Sequence, residues 1–273
     1  MKKLSSILLT ILSFQASAQL DTIYSNNDKI PCIISEVTPD AVKYKYKGED
    51  VVNSIYKNTV EKIVFRSGRV QQFAEATSYK TVKGASDYEN VTLTRVESEI
   101  HGLFKLGDVS AKAKGTTVYS SMEKVKERAI RKMKIQAAMM GGNIVYLTQN
   151  TTSGNQYGSK YQSGKTTETN MDGVAYSNIL PNFEDFKTKI GDRYEFDIYE
   201  KDFLGGSDFD MSQQDVDKKL EILKVYNEKG LIMIRANIGK DLDVVYRVIS
   251  FSSKRFIIVL KDGANIYNFK VSI

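Results

Sequence analysis

The sequence predicts an α+β protein in which antiparallel strands predominate. It is expected to hold a small N-terminal β-barrel-like module, a central α+β module with one main helix packed on a sheet, and a C-terminal antiparallel β-meander or partial barrel. Three observations carry this. Short β-branched and aromatic runs recur near both ends of the chain with Asn, Asp, Gly and Ser between them. A middle segment carries a capped apolar repeat of helical period. The chain has 273 residues, more than the ~100–150 of a typical single domain.

The chain begins with a basic Met1-Lys2-Lys3, an apolar run from Leu4 to Phe14 and a small-x-small Ala16-Ser17-Ala18. That order is the pattern of a cleavable signal peptide over 1–18, with the mature protein starting at Gln19. No cysteine stands at the cleavage site, so the expected product is periplasmic or secreted and carries no lipid anchor. Loss of Lys2 and Lys3 takes the net charge from +6 to +4, too little for a nucleic-acid partner. No later apolar run approaches the ~20 residues a membrane-spanning helix needs. Cys32 is the only cysteine, which excludes an internal disulfide and, beside Pro31 and Ile33, reads as an inert core thiol.

Residues 19–75 read as the N-terminal module. Thr22-Ile23-Tyr24 leads into the turn Asn26-Asn27-Asp28, Ile30 to Val37 forms a second strand, and Thr38-Pro39-Asp40 a second turn. Val42, Tyr44 and Tyr46 alternate with lysines, as a half-buried strand does. Ile55, then Val60 to Phe65, the turn Ser67-Gly68-Arg69 and Val70 to Phe73 continue the series. Glu36-Val37-Thr38-Pro39 followed by Tyr44-Lys45-Tyr46-Lys47 resembles an N-terminal module common in secreted proteins of the Bacteroidetes. The resemblance implies a small SH3-like or Sm-like barrel without catalytic residues. The sequence departs from it at Asn27 and Cys32, where such modules carry glycine.

A polar linker is expected over 76–87 and the α+β module over 88–180. Val91 to Val96 and Gly102 to Val109 read as strands. Ser120-Ser121-Met122-Glu123 matches a capping box, with Ser120 as the cap. Val125, Ala129, Met133, Ala137 and Met140 then draw one apolar stripe, ended by Gly141-Gly142. Asn143 to Thr148 follows at once as a strand, so the helix must fold back on a sheet. Ala129-Ile130, Ala137-Ala138 and Gly141-Gly142-Asn143-Ile144-Val145 resemble the fold of the putative heavy-metal-binding family and of the Rcs stress-sensor lipoprotein. The lipoprotein's disulfide cysteines and any Cys/His cluster are missing here, so the resemblance carries fold and not function. Residues 151–169, rich in Ser, Thr, Gly and Asn, read as a long hairpin loop before the strand Gly173 to Tyr176.

The last module is expected over 182–273. Tyr194, Phe196 and Ile198 alternate, an acidic stretch follows, and a solvated loop is expected to run into a helix from Ser212. Strands then recur at Leu231 to Ala236, Val244 to Phe251, Phe256 to Leu260 and Ile266 to Val271, with Lys261-Asp262-Gly263 as a hairpin turn. Such a meander must roll up or be covered.

The chemistry is sparse. His101 is the only histidine, with no nucleophile motif around it, and a histidine zinc site is excluded by count. The acidic stretch over 195–217 is a poor calcium loop: counting from Asp208, Gln213 stands where the glycine belongs and Lys219 where the closing glutamate belongs. A carboxylate-only glycosidase pair would need two acids facing each other across a cleft. No catalytic residue, metal or cofactor is therefore assigned. Lys124, Arg128, Arg131 and Lys132 are expected on the outer face of the helix, where an acidic partner could dock. Tyr157, Tyr161 and Tyr176 are candidates for a glycan platform. The expected role is a non-enzymatic cell-envelope protein that binds an envelope protein or glycan. The alternative is a carrier holding a small apolar ligand among Tyr194, Phe196, Ile234, Tyr246, Phe256 and Tyr267.

Overall fold

Two core clusters and a smaller third organise the chain, each built where the period-two or helical pattern buries one face. The computed structural model describes residues 20–25, 28–73, 79–160 and 163–273. The leader, Tyr161 and the start of the expected linker lie outside the described residues. Two units are distinct, 1–74 and 75–273.

In the first unit six antiparallel strands form one sheet: β1 (Asp21–Ser25), β2 (Asp28–Val37), β3 (Ala41–Lys45), β4 (Asn53–Tyr56), β5 (Val60–Val64) and β6 (Val70–Gln72). Their order is β4-β3-β2-β1-β5-β6, so among the described residues β4 and β6 are the edges. Ile23, Cys32, Val42, Tyr44, Val60 and Ile63 make the core. Asp21 is buried, yet its two oxygens accept from the amides of Ile34 (2.9 Å) and Arg66 (2.8 Å), which ties β1 to both neighbours.

The second unit begins with a four-stranded sheet in the order β7-β9-β10-β8: β7 (Thr92–Thr94), β8 (Phe104–Lys114), β9 (Ile144–Ser153) and β10 (Glu168–Ser177). Only the β7 and β9 pair is parallel. Helix α1 (Met122–Met139) lies on this sheet. All five residues of the apolar stripe are buried. Its cap is one residue later than the capping box suggests: the Ser121 hydroxyl accepts from the Lys124 amide, while Ser120 Oγ accepts from Thr117 in the preceding turn. Gly141 ends the helix at φ +75°, a conformation glycine takes without a Cβ penalty.

The rest is a closed six-stranded antiparallel barrel: β11 (Glu195–Leu204), β12 (Ser212–Glu228), β13 (Leu231–Ile238), β14 (Asp241–Phe251), β15 (Arg255–Asp262) and β16 (Asn265–Ser272). Closure comes from β11 pairing with β16. The helix expected from Ser212 is in fact β12, the longest strand. Its charges suit a helix, but Val216, Leu220 and Ile222 alternate inward and the strand serves two partners, β11 and then β13. Pairing with one strand and then the next outweighs weak local propensity. A short helix missed in the sequence, α2 (Phe183–Ile190), buries Phe186 and Ile190 in the barrel core; Asn182 caps it by accepting from the Asp185 amide.

The barrel is joined to the α+β part by a shared core. Residues that point outward from its strands, Leu204, Ile249, Ile257, Val259 and Ile266, pack with α1 and the four-stranded sheet. The described part of the expected linker also packs: Ala85 is buried, and Ser250 Oγ donates to the carbonyl of Lys83. The exposed edge of β8 is closed by side chains. Along one edge of a strand, backbone groups of alternate residues are free. Here Arg247 donates to Leu106 O, Lys261 to Asp108 O and Arg128 to Lys114 O, while Gln136 accepts from Ser110 N. No described helix is long and apolar enough to cross a membrane.

Candidate functional site

The expected ligand residues of the C-terminal module divide between its core and its surface. Phe196, Ile234, Tyr246 and Phe256 are core residues. Phe256 meets Phe186 and Phe196 edge-on at 5.4 Å, and Tyr246 meets Phe269 at 5.9 Å. A barrel of few strands is filled by its own side chains, and α2 adds the Phe186 ring to this filling. Tyr194 is 65% exposed, outside the set. Tyr267 is half-buried and stacks on Phe203 at 4.9 Å, with the Lys201 ammonium 4.7 Å from its ring.

The expected cationic face is largely consumed inside the protein. Lys132 is 3% exposed, not on the outer surface. Its ammonium donates to the carbonyl of Gly206 and lies 5.6 Å from the Phe209 ring, where burial pulls its pKa down. Arg131 pairs with Asp210 at 2.9 Å and Arg128 covers Phe209. Together these cations hold the connection between β11 and β12 against α1, a use that sequence alone could not show because the partners lie some 75 residues on. Lys124 remains exposed near the start of the helix.

The acidic stretch is a hairpin, not a loop, and its carboxylates are spread along it. Glu195 and Asp197 face Lys219, Glu200 and Asp202 face Lys270, and Asp210 holds Arg131. Among the described residues no group of three or more His, Cys, Asp or Glu has metal-binding geometry. His101 is exposed, after the turn Glu97–Ile100. A recess of about 400 Å³ opens beside β7, lined by Lys80, Glu89, Asn90, Leu93, Ile130 and Lys134. Lys134 is already engaged there, donating to Glu89 O at 3.3 Å.

The aromatic platform is where the structure gathers accessible chemistry. Tyr157 is 70% exposed and its ring lies 5.8 Å from that of Tyr119, 80% exposed. Tyr119 is the member sequence reasoning missed, and Tyr176 does not join, since it lies at the far end of β10 from the 154–167 loop. The two rings are neighbours because their loops are bonded together. Asn155 Nδ2 donates to Ser120 O (2.9 Å), and Asn155 Oδ1 accepts from the amide and the hydroxyl of buried Thr167, each at 2.7 Å. Gln156 and Lys165 exchange both backbone bonds, an isolated antiparallel bridge beyond β9. Gly164 allows a close approach there: a Cβ would lie 3.0 Å from Gln156 O and from Val118 Cγ1. The only sequence signal for Tyr119 is its place in a Gly/Thr/Ser turn, exposed by composition.

No protein-family model, curated protein or solved structure matches this chain.

Proposed function

We propose that this is an exported, non-enzymatic component of the cell envelope, acting as a binding, adaptor or structural part, with a glycan docking on the Tyr119–Tyr157 platform. Export rests on the leader pattern of residues 1–18. The binding reading rests on one observation: two highly exposed rings, tilted 55° to each other at 5.8 Å, on loops fixed by a part-buried Asn155–Thr167 network. Surface aromatics that stay exposed and adjacent mark a contact site more often than isolated ones do. A ring face of negative potential attracts the polarised C–H bonds on one face of a sugar, and the surrounding Ser, Thr, Asn and Gln supply neutral hydrogen-bonding groups for its hydroxyls. The alternative, a carrier of an apolar ligand in the barrel, asks for interior room that Phe186, Phe196, Tyr246, Phe256 and Phe269 occupy.

The test is binding of the full chain to immobilised envelope glycan. Aromatic contacts of this kind are worth about 0.5–1.5 kcal/mol each. The variant carrying Tyr119→Ala and Tyr157→Ala should lose roughly tenfold in affinity with an unchanged melting temperature. Glycan binding that ignores both substitutions, or no binding by the wild type, removes the platform reading.

A further inference from the structure

A charged cluster lies on the outward face of β11 and β16, with Asp202 buried and Lys270 and Glu200 partly exposed. The strand register sets Glu200 opposite Lys270 and Asp202 opposite Asn268, so four polar side chains share one face. Lys270 Nζ bonds the Glu200 carboxylate and lies 3.3 Å from Asp202 Oδ2, while Gln213 of β12 donates to the same Glu200 oxygen. Asp202 is 1% exposed and Asn268 is fully buried. Asn268 Nδ2 donates to the carbonyl of Met139, in the last turn of α1, at 2.8 Å. The charges acting on Asp202 are Lys270 from β16 and Glu200 from its own strand. From α1 the contact is a backbone carbonyl; its Lys132 is turned to Gly206 and Asp208.

Two features disfavour an ionised Asp202. Its Oδ1 has no donor, and neither has Asn268 Oδ1 on the facing residue; a buried polar atom left so costs about 1–3 kcal/mol. Two ionised carboxylates with one lysine would bury a net negative charge. One added proton neutralises the cluster and supplies the missing donor.

We propose that Asp202 is a neutral carboxylic acid in the folded protein, its proton supplied to the unpartnered oxygens of Asp202 and Asn268, and that loss of this proton is a pH-sensitive release of the barrel from the end of α1. Burial raises the Asp202 carboxyl above its ordinary value, the opposing pull of Lys270 notwithstanding, and the neighbouring Glu200 charge adds to the rise. Burial also pushes Glu200 upward, but hydrogen bonds from Lys270 and Gln213 outweigh it and hold Glu200 below its usual value. Between the unfolded and folded pKa values of Asp202 the folded chain keeps a proton that the unfolded chain has lost. Its stabilising effect is therefore complete on the acid side, falls as pH rises through that window, and is gone above the folded pKa.

The test is a carbon-detected NMR titration of the Asp202 carboxyl in the full chain, with hydrogen exchange of the Met140, Gly141 and Gly142 amides corrected for base catalysis. The proposal expects the protonated form to persist above the ordinary aspartate range. It expects amide protection to fall about tenfold in the step where that proton leaves, and Asp202→Asn to abolish the step while keeping the protection. An Asp202 that titrates in or below the ordinary range overturns the proposal, as does protection that falls alike in Asp202→Asn. If that variant does not fold, the wild-type carboxyl titration decides alone.

Discussion

Phe256→Ala measures directly whether the barrel is solid. Phe256 is fully buried on β15, its ring edge-on to Phe186 of α2 and Phe196 of β11, each at 5.4 Å. Truncating it deletes the most central ring and leaves neighbours on a closed sheet that cannot collapse inward. Large-to-small changes of this kind cost about 3–5 kcal/mol, transfer and cavity terms together. For a unit of this size that lowers the melting temperature by about 2–4 °C per kcal/mol. The chain has no tryptophan, so urea unfolding is followed by circular dichroism, and the variant should shift the midpoint with its slope unchanged. A cost below about 1 kcal/mol would refute the reasoning, because it would mean that the ring borders empty space, as the carrier reading requires.

Three further outcomes follow from single contacts. Arg247 donates to Leu106 O at 3.1 Å and Met140 O at 2.7 Å, and burial lowers its pKa to about 10; Arg247→Met should cost about 1–3 kcal/mol by stranding those carbonyls, read as a lower urea midpoint. Gly173→Ala puts a Cβ 2.6 Å from Tyr146 O and 2.9 Å from Val145 Cγ1, and the forced shift of β9 against β10 should cost about 1–3 kcal/mol, visible as a lower melting temperature. Burial, with the Asp21 carboxylate beside it, pushes the Cys32 thiol up to about 11, so at neutral pH a thiol reagent should label it only on unfolding, and rapid labelling of native protein would contradict the packing.

Much of the fold was legible because its signals are local. Four of the barrel strands and the stripe of α1 follow from apolar periods, and the Gly141 stop follows from one residue's freedom. Even α2 carried its signs in Asn182, Glu184 and Asp185 at one end and Lys187, Lys189 and Gly191 at the other. What misled was β12, whose Asp, Lys and Glu residues suit a helix and whose strand state is imposed by β11 along its first half and β13 along its second.

The candidate site was legible in kind and not in place. Tyr157 stood out as an aromatic among small polar residues, but its companion Tyr119 comes from a turn 38 positions away and is brought beside it by Asn155. Lys132 read as a surface cation by its spacing, whereas the loop at Gly206 covers it.

By itself the sequence determined which segments bury a face and where the backbone turns, since period, cap and glycine act within a few residues. Only tertiary structure decided the closure of β11 on β16, the burial of Lys132 and the opposition of Asp202 to Asn268. Those depend on distant strands meeting in one register, and register is set by the summed packing of a whole face rather than by any residue in it.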